Sequence, residues 1–259
     1  MPASPTTPIA NAHLYEPPAD LLKNRIIVVT GAGDGIGRCA AMTFAKHGAT
    51  VILVGKTIEK LESVYDDIEK AEYPQAAIYP IHLGGAVMKD YQDMRETLER
   101  EFGAIDGLLH NASILGDRKS IAQTNSDEWQ EVMQVNINAQ FMMTQALLPL
   151  LEQSSDGSII FTSSSVGRVG RAYWGPYAIS KFATEGLMQT LADELNNTSN
   201  IRVNAINPGA TNTAMRRTAY PGEIPTDNPA PEQIMPLYLY LMGADSKDVN
   251  GQSLDAQPK

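Results

Sequence analysis

The sequence predicts an α/β fold, a doubly wound parallel β-sheet of about seven strands with helices on both faces in a three-layer αβα arrangement. Three observations carry this reading. From Arg25 onward, short β-branched runs alternate with longer stretches of helical periodicity, the pattern of repeated βαβ units. The runs are almost continuously apolar, as strands covered on both faces require. A glycine cluster, Gly31 to Gly37, falls where the first strand gives way to the first helix.

The elements follow in order. Arg25–Thr30 (RIIVVT) is a strand. Ile36, Ala40, Phe44 and Ala45 then recur at helical spacing, and Gly48 stops that helix before the second strand, Thr50–Val54. Further strands are expected at Ala77–His82, Gly107–Asn111, Ser158–Ser163 and Ile201–Asn207, with a last short one near Gln252–Asp255. Helical periodicity places helices at Ile58–Ala71, Val87–Phe102, Ser126–Leu151 with a break near Asn136, Pro176–Asn196 and Pro231–Met242.

A chain of 259 residues is accommodated by one such sheet, so residues 21–259 read as a single Rossmann-type domain. Residues 1–20, rich in Pro, Ala, Thr and Ser, read as a flexible N-terminal tail, loose or draped over that domain. The formal net charge of -10 repels a phosphate backbone, so no nucleic-acid partner is expected. Cys39 is the one cysteine, which rules out an intrachain disulfide and fits a reducing cytoplasm. Neither a signal sequence nor a run long enough to span a membrane is expected.

Gly31-Ala32-Gly33-Asp34-Gly35-Ile36-Gly37 lies where a dinucleotide pyrophosphate meets backbone N–H groups and a helix dipole. The acid that grips a ribose 2′-hydroxyl belongs about twenty residues on, at the end of the second strand. There the chain reads Val54-Gly55-Lys56-Thr57. A cation in place of an acid suits a 2′-phosphate, so NADP(H) is expected over NAD(H). The competing reading makes Lys56 a solvated loop lysine.

Tyr177 and Lys181, four residues apart, project from one face of a helix. A carbonyl that accepts hydride becomes an alkoxide, so its site must donate a proton and steady the developing charge. An ammonium about 4 Å away, at an effective dielectric of about 20, favours phenolate by roughly 4 kcal/mol before opposing desolvation is subtracted. Lys181 is therefore expected to lower the phenol's pKa toward neutrality. His110 has no partner at metal-ligand spacing, and no metal is expected.

The string Thr30-Gly31-x-x-x-Gly35-x-Gly37, with Ser164 thirteen positions before Tyr177 and Asn136 in Val135-Asn136-Ile137-Asn138, resembles the short-chain dehydrogenase/reductase family from about Arg25 to Asp255. Segments around Ser164, Lys181 and Asp255 look like its bacterial YciK-type branch, which implies an oxidoreductase and fixes no substrate. The resemblance implies Tyr177 as general acid/base, Lys181 as its modulator and a holder of the nicotinamide ribose, Ser164 as a donor to the substrate oxygen, and Asn136 as organiser of a water relay. The choice of Ser164 over Ser163 and Ser165 rests on family spacing. The family's Asn-Asn-Ala-Gly element reads His110-Asn111-Ala112-Ser113, with Asn111 and Ala112 expected beside the adenosine. Pro208, Gly209, Thr211 and Thr213 match its Pro-Gly segment near the nicotinamide and pyrophosphate. His82 stands where an adenine-contacting aspartate is usual. The family also implies a small-molecule carbonyl or alcohol substrate and a homodimer or homotetramer. Residues 212–229 read as a mobile lid, and a dinucleotide-binding regulator that has abandoned catalysis is the alternative from another functional class.

Overall fold

A computed structural model describes residues 9–258. Among these, seven parallel strands form one sheet in the order β3-β2-β1-β4-β5-β6-β7. The strands are β1 (Ile26–Thr30), β2 (Thr50–Gly55), β3 (Ala77–Pro80), β4 (Gly107–His110), β5 (Gly157–Thr162), β6 (Ile201–Asn207) and β7 (Ser253–Asp255). Each helix crosses between strands: α1 (Gly35–Lys46), α2 (Ile58–Lys70), α3 (Met88–Phe102), α4 (Ser126–Met133), α5 (Ala139–Leu151), α6 (Gly175–Leu195), α7 (Ala214–Ala219) and α8 (Met235–Met242).

Side-chain alternation explains why the strands read as unbroken apolar runs. Ile27, Val29, Val51 and Leu53 face one core with residues of α1, α2 and α8, including Phe44, Leu61 and Tyr238. Val28, Ile52 and Val54 face the other with α3, α5 and α6, including Tyr91, Leu147 and Met188. Both faces of each strand are thus out of water.

The sequence reading departs from the structure at element ends. The third strand stops at Pro80, two residues before His82: Ile81 N–H still donates to Gly55 O at 2.9 Å, but the chain then turns, with His82 O accepting from the N–H groups of Gly85 and Ala86 at 3.0 Å. The expected break at Asn136 is a π-helical turn, Gln134–Asn138, joining α4 to α5 without interruption. The helix expected over Pro231–Met242 begins as a 3-10 turn, Pro231–Ile234, before α8. Of the segment read as a tail, positions 1–8 lie outside the described residues. Ile9–Leu14 form a 3-10 helix, and the Tyr15 hydroxyl donates to Asp245 Oδ2 at 2.6 Å while its ring meets Tyr240 edge-on.

An ionic clamp closes the edge of the sheet where the strands begin. Arg25 Nη1 reaches Asp156 Oδ2 at 2.6 Å, and Arg202 Nη2 reaches Asp156 Oδ1 at 3.1 Å. Burial alone would raise the Asp156 carboxyl, but the Arg25 hydrogen bond and two guanidinium charges outweigh it and hold the group below the usual carboxylate range. Replacing Asp156 by Asn leaves two guanidinium groups facing each other and is expected to remove about 3 kcal/mol of stability, read as a lower urea midpoint. A depressed folded pKa gives stability that is complete above the unfolded carboxylate value of about 3.9 and is lost as pH falls through the folded value. The gap between wild type and D156N should therefore close in acid, and equal midpoints at neutral pH would show that the clamp contributes nothing.

Candidate active site

At the opposite edge, where β1 and β4 diverge and strand order reverses, a cavity of about 450 Å³ runs over the C-terminal ends of the strands. Its floor is pinned by Thr30. Thr30 Oγ1 donates to Leu109 O at 3.2 Å and accepts from the N–H groups of Asn111 and Ala112 at 2.9 and 3.0 Å. Asn111 Nδ2 donates back to Thr30 O at 3.2 Å, tying the two strand ends together.

On this floor lies the glycine-rich loop. Gly31 and Gly35 adopt positive φ (67° and 52°), which side chains with a Cβ rarely accept. A Cβ on Gly37 would overlap the Gly31 carbonyl oxygen and come within 2.5 Å of Asn111 Nδ2. Gly37 is thus a packing position behind the loop, whereas Gly31, Gly33, Asp34, Gly35 and Ile36 line the cavity. Asp34 caps α1, accepting from the Gly35 N–H at 2.7 Å, and pairs with Lys60 on α2. That hydrogen bond to Lys60, outweighing burial, holds the Asp34 carboxyl below its usual range. Lys60 lines the cavity beside Lys56 and was not found from the sequence. Only the tertiary approach of α2 to the loop reveals it.

Asn111, Ala112, Pro208, Gly209, Thr211 and Thr213 also line the cavity. Gln257, another residue missed in the sequence, holds that last wall. Its Nε2 donates to Pro208 O at 2.8 Å and Ala210 O at 2.9 Å. His82 lines the cavity at an exposed position. His110 does not line it. Burial pushes this imidazole down to about 3, and the neutral ring stacks on Phe161 and shares a 2.8 Å hydrogen bond with Thr144 Oγ1.

Ser164, Tyr177 and Lys181 meet at the far end of the cavity. The Ser164 hydroxyl lies beside the Tyr177 phenol, near enough to favour its ionised form. Ser163 instead donates to the buried Glu185, and Ser165 is exposed outside the cavity. Lys181 Nζ donates to Thr162 O at 2.8 Å and lies 5.5 Å from the Tyr177 ring centroid. Asn136 is fully buried behind them, outside the cavity. Its Oδ1 accepts from Ile114 N–H at 2.8 Å, and its Nδ2 donates to Ile114 O and Ser180 Oγ at 2.9 and 3.0 Å. In this arrangement Asn136 fastens the chain after β4 to α6.

The expected lowering of the phenol is corrected by the structure. Burial raises Tyr177 to about 12, only partly opposed by the Ser164 hydroxyl. Burial lowers Lys181 to about 8, against the pull of Glu185 one helical turn away. Desolvation dominates because both groups are almost wholly removed from water, and each is driven toward its neutral form.

The residues fit a nicotinamide dinucleotide. A loop with two positive-φ glycines opens onto the first turn of α1 at one end, and a phenol, a hydroxyl and an ammonium converge at the other. The profile of the short chain dehydrogenase family matches residues 25–223. The chain is 53% identical over 244 residues to YciK of Escherichia coli, an uncharacterized oxidoreductase, covering 94% of this chain and 96% of that one. A short chain dehydrogenase structure from Pseudomonas syringae superposes with a TM-score of 0.93 at 56% identity, covering 94% of this chain and 98% of that one. One from Shigella flexneri, complexed with NADP, superposes with a TM-score of 0.91 at 53% identity, covering 93% and 100%.

Gly37→Ala is expected to weaken dinucleotide binding by more than about tenfold, or about 1.4 kcal/mol, as read by fluorescence titration. A Cβ on Gly170 meets nothing within 4 Å, so Gly170→Ala should bind as wild type does. Equal binding by both variants would remove the close approach at Gly37 from the account of the site.

Proposed function

This chain belongs to the short chain dehydrogenase family, and on that premise we propose that it is an NADPH-dependent reductase of a small-molecule carbonyl, with Tyr177 as the proton donor. The observation that carries this reading is the phenol itself: burial keeps Tyr177 protonated beside the Ser164 hydroxyl, at the end of the cavity opposite the glycine-rich loop. A bound nicotinamide supplies the hydride. The chain's own residues place and charge the oxygen. Ser164 and Tyr177 offer two hydrogen-bond donors to a carbonyl oxygen, and these bonds strengthen as negative charge develops there. Tyr177 passes its proton to the oxygen, and the Lys181 ammonium steadies the phenolate left behind.

Three features favour the 2′-phosphate form of the cofactor. Lys56 is exposed at the cavity wall and makes no hydrogen bond or ion pair among the described residues. Thr57 precedes α2 without a side-chain cap bond, leaving its hydroxyl and the first N–H groups of α2 for an anion. Asp34, the acid that would repel the phosphate, is neutralised by Lys60. The Shigella flexneri relative carries the same class of cofactor.

The remaining proposal concerns assembly in the cytoplasm as a homodimer or homotetramer. Phe141 on α5 and Ile179 and Phe182 on α6 are 49%, 40% and 44% exposed, an apolar face that a second copy would cover. Light scattering that returns only the monomer mass overturns it.

Separate titrations with NADPH and NADH test the cofactor reading. NADPH should bind more than about tenfold more tightly, and Lys56→Glu should erase that margin; a wild-type preference for NADH defeats it. For the chemistry, Tyr177→Phe should retain cofactor binding and lose carbonyl reduction by at least about a hundredfold. Reduction by wild type should fall as pH rises through about 8, where Lys181 loses its proton. Undiminished turnover in Tyr177→Phe would sink the mechanism and favour a non-catalytic dinucleotide-binding role for this cavity.

A further inference from the structure

Beside Ser164 and Tyr177, the wall of the cavity is apolar. Leu115, Trp174 and Met215 pack against Val166, Tyr177 and Ala178, and the Trp174 ring centroid lies 5.8 Å from that of Tyr177. The buried Ala219, from the last turn of α7, closes the same wall. These side chains come from the loop after β4, the start of α6 and the segment after β6, so a carbonyl held by Ser164 and Tyr177 has its substituents among carbon atoms.

Three arginines stand near this end, and each is already engaged. Arg216 lines the cavity, but its Nε donates to Glu223 Oε2 at 2.7 Å, its Nη2 pairs with Glu223 Oε1, and its guanidinium lies 3.9 Å from the Tyr220 ring centroid. Arg217 Nη1 donates to Asn212 Oδ1 at 3.0 Å. Arg118 is sandwiched between Trp174 and Tyr220, 4.8 and 4.7 Å from their centroids, and donates to Ala219 O. Arg118 thereby fastens α7 over the site from outside the cavity lining. A carboxylate or phosphate on the substituents would lose its water and find no unengaged arginine among the described residues, while Lys181 is buried against Thr162 O. Glu131, which lines the same cavity without an ion pair among the described residues, would repel it further.

We propose that the substrate is a neutral ketone with apolar substituents, seated between Trp174, Leu115 and Met215 under a roof formed by α7 and held by Arg118. This rests on the carbonyl reductase reading above and specifies what that site accepts. The residues after Thr213 then form a docked apolar cover in which Arg216 is paired with Glu223, and Arg217, outside the cavity lining, donates to Asn212. They are not an anion receptor.

The test reads binding apart from turnover. Trp129 and Trp174 are the two tryptophans, so Trp129→Phe leaves Trp174 as the sole indole reporter. This variant, saturated with NADP+, which cannot reduce a ketone, is titrated with a methylcyclohexanone and with the matched oxocyclohexanecarboxylate. The expected result is a saturable change in Trp174 emission with the neutral ketone, at an affinity at least about tenfold above that of the acid. Leu115→Lys should bring the acid to parity or better, a gain that misfolding cannot mimic. Equal or tighter binding of the acid by the unaltered wall overturns the proposal, as does the absence of any Trp174 response to either compound. If the neutral ketone binds but wild-type protein with NADPH reduces neither compound, the substrate class stands and the reductase mechanism falls.

Discussion

Everything at the functional edge of this protein depends on one close approach, that of the glycine-rich loop to the end of β4. Gly37 has no room for a Cβ because the Gly31 carbonyl and the Asn111 amide already occupy that space. Thr30 holds the two strand ends in this position through bonds to Leu109, Asn111 and Ala112. Because the sheet reverses its order between β1 and β4, the helices leave on opposite faces and open the crevice at this point. The loop can then present backbone N–H groups without a side chain in the way.

The other end of the crevice is built on a different compromise. Lys181 is a cation in the interior, held by Thr162 O and by the field of Glu185. Tyr177 beside it keeps its proton for the same reason that Lys181 holds its own less tightly: water has been removed from both. A site of this kind sacrifices some stability to bring reactive groups together in a low dielectric. The structure supports it through groups that do no chemistry. Asn136, set by a π-helical turn, ties the loop after β4 to α6, and Gln257 braces Pro208 and Ala210 from the C-terminal end of the chain.

Charge is distributed unevenly over this crevice. At the loop end Lys56 has no ion-pair partner among the described residues and Lys60 cancels Asp34, which leaves net positive character there. At the Tyr177 end Arg216, the arginine that lines the cavity, is paired with Glu223, and Arg118 is held between Trp174 and Tyr220. One cavity therefore presents a cationic end and an end walled mainly by apolar side chains, the division on which the proposed phosphorylated cofactor and uncharged substrate both rest.

The strands, the order of βαβ units, the glycine-rich loop and the pairing of Tyr177 with Lys181 were legible in the sequence because each is encoded locally, whereas Ser164 was separated from its serine neighbours only by family spacing. Strand burial follows from runs of apolar residues, a helix face from a spacing of four, and a tight loop from glycine. Element ends were less legible, since the turn closed on His82 O and the π-helical turn around Asn136 depend on hydrogen-bond geometry that residue type only suggests. What the tertiary structure alone decided is which partners each charge meets. Lys60 joins Asp34 across 26 positions, Arg118 reaches Ala219 across 101, and Gln257 reaches Pro208 across 49. The pKa of Tyr177 was misjudged from sequence for the same reason. The spacing of Tyr177 and Lys181 gives their proximity, whereas desolvation depends on what the rest of the chain packs around them.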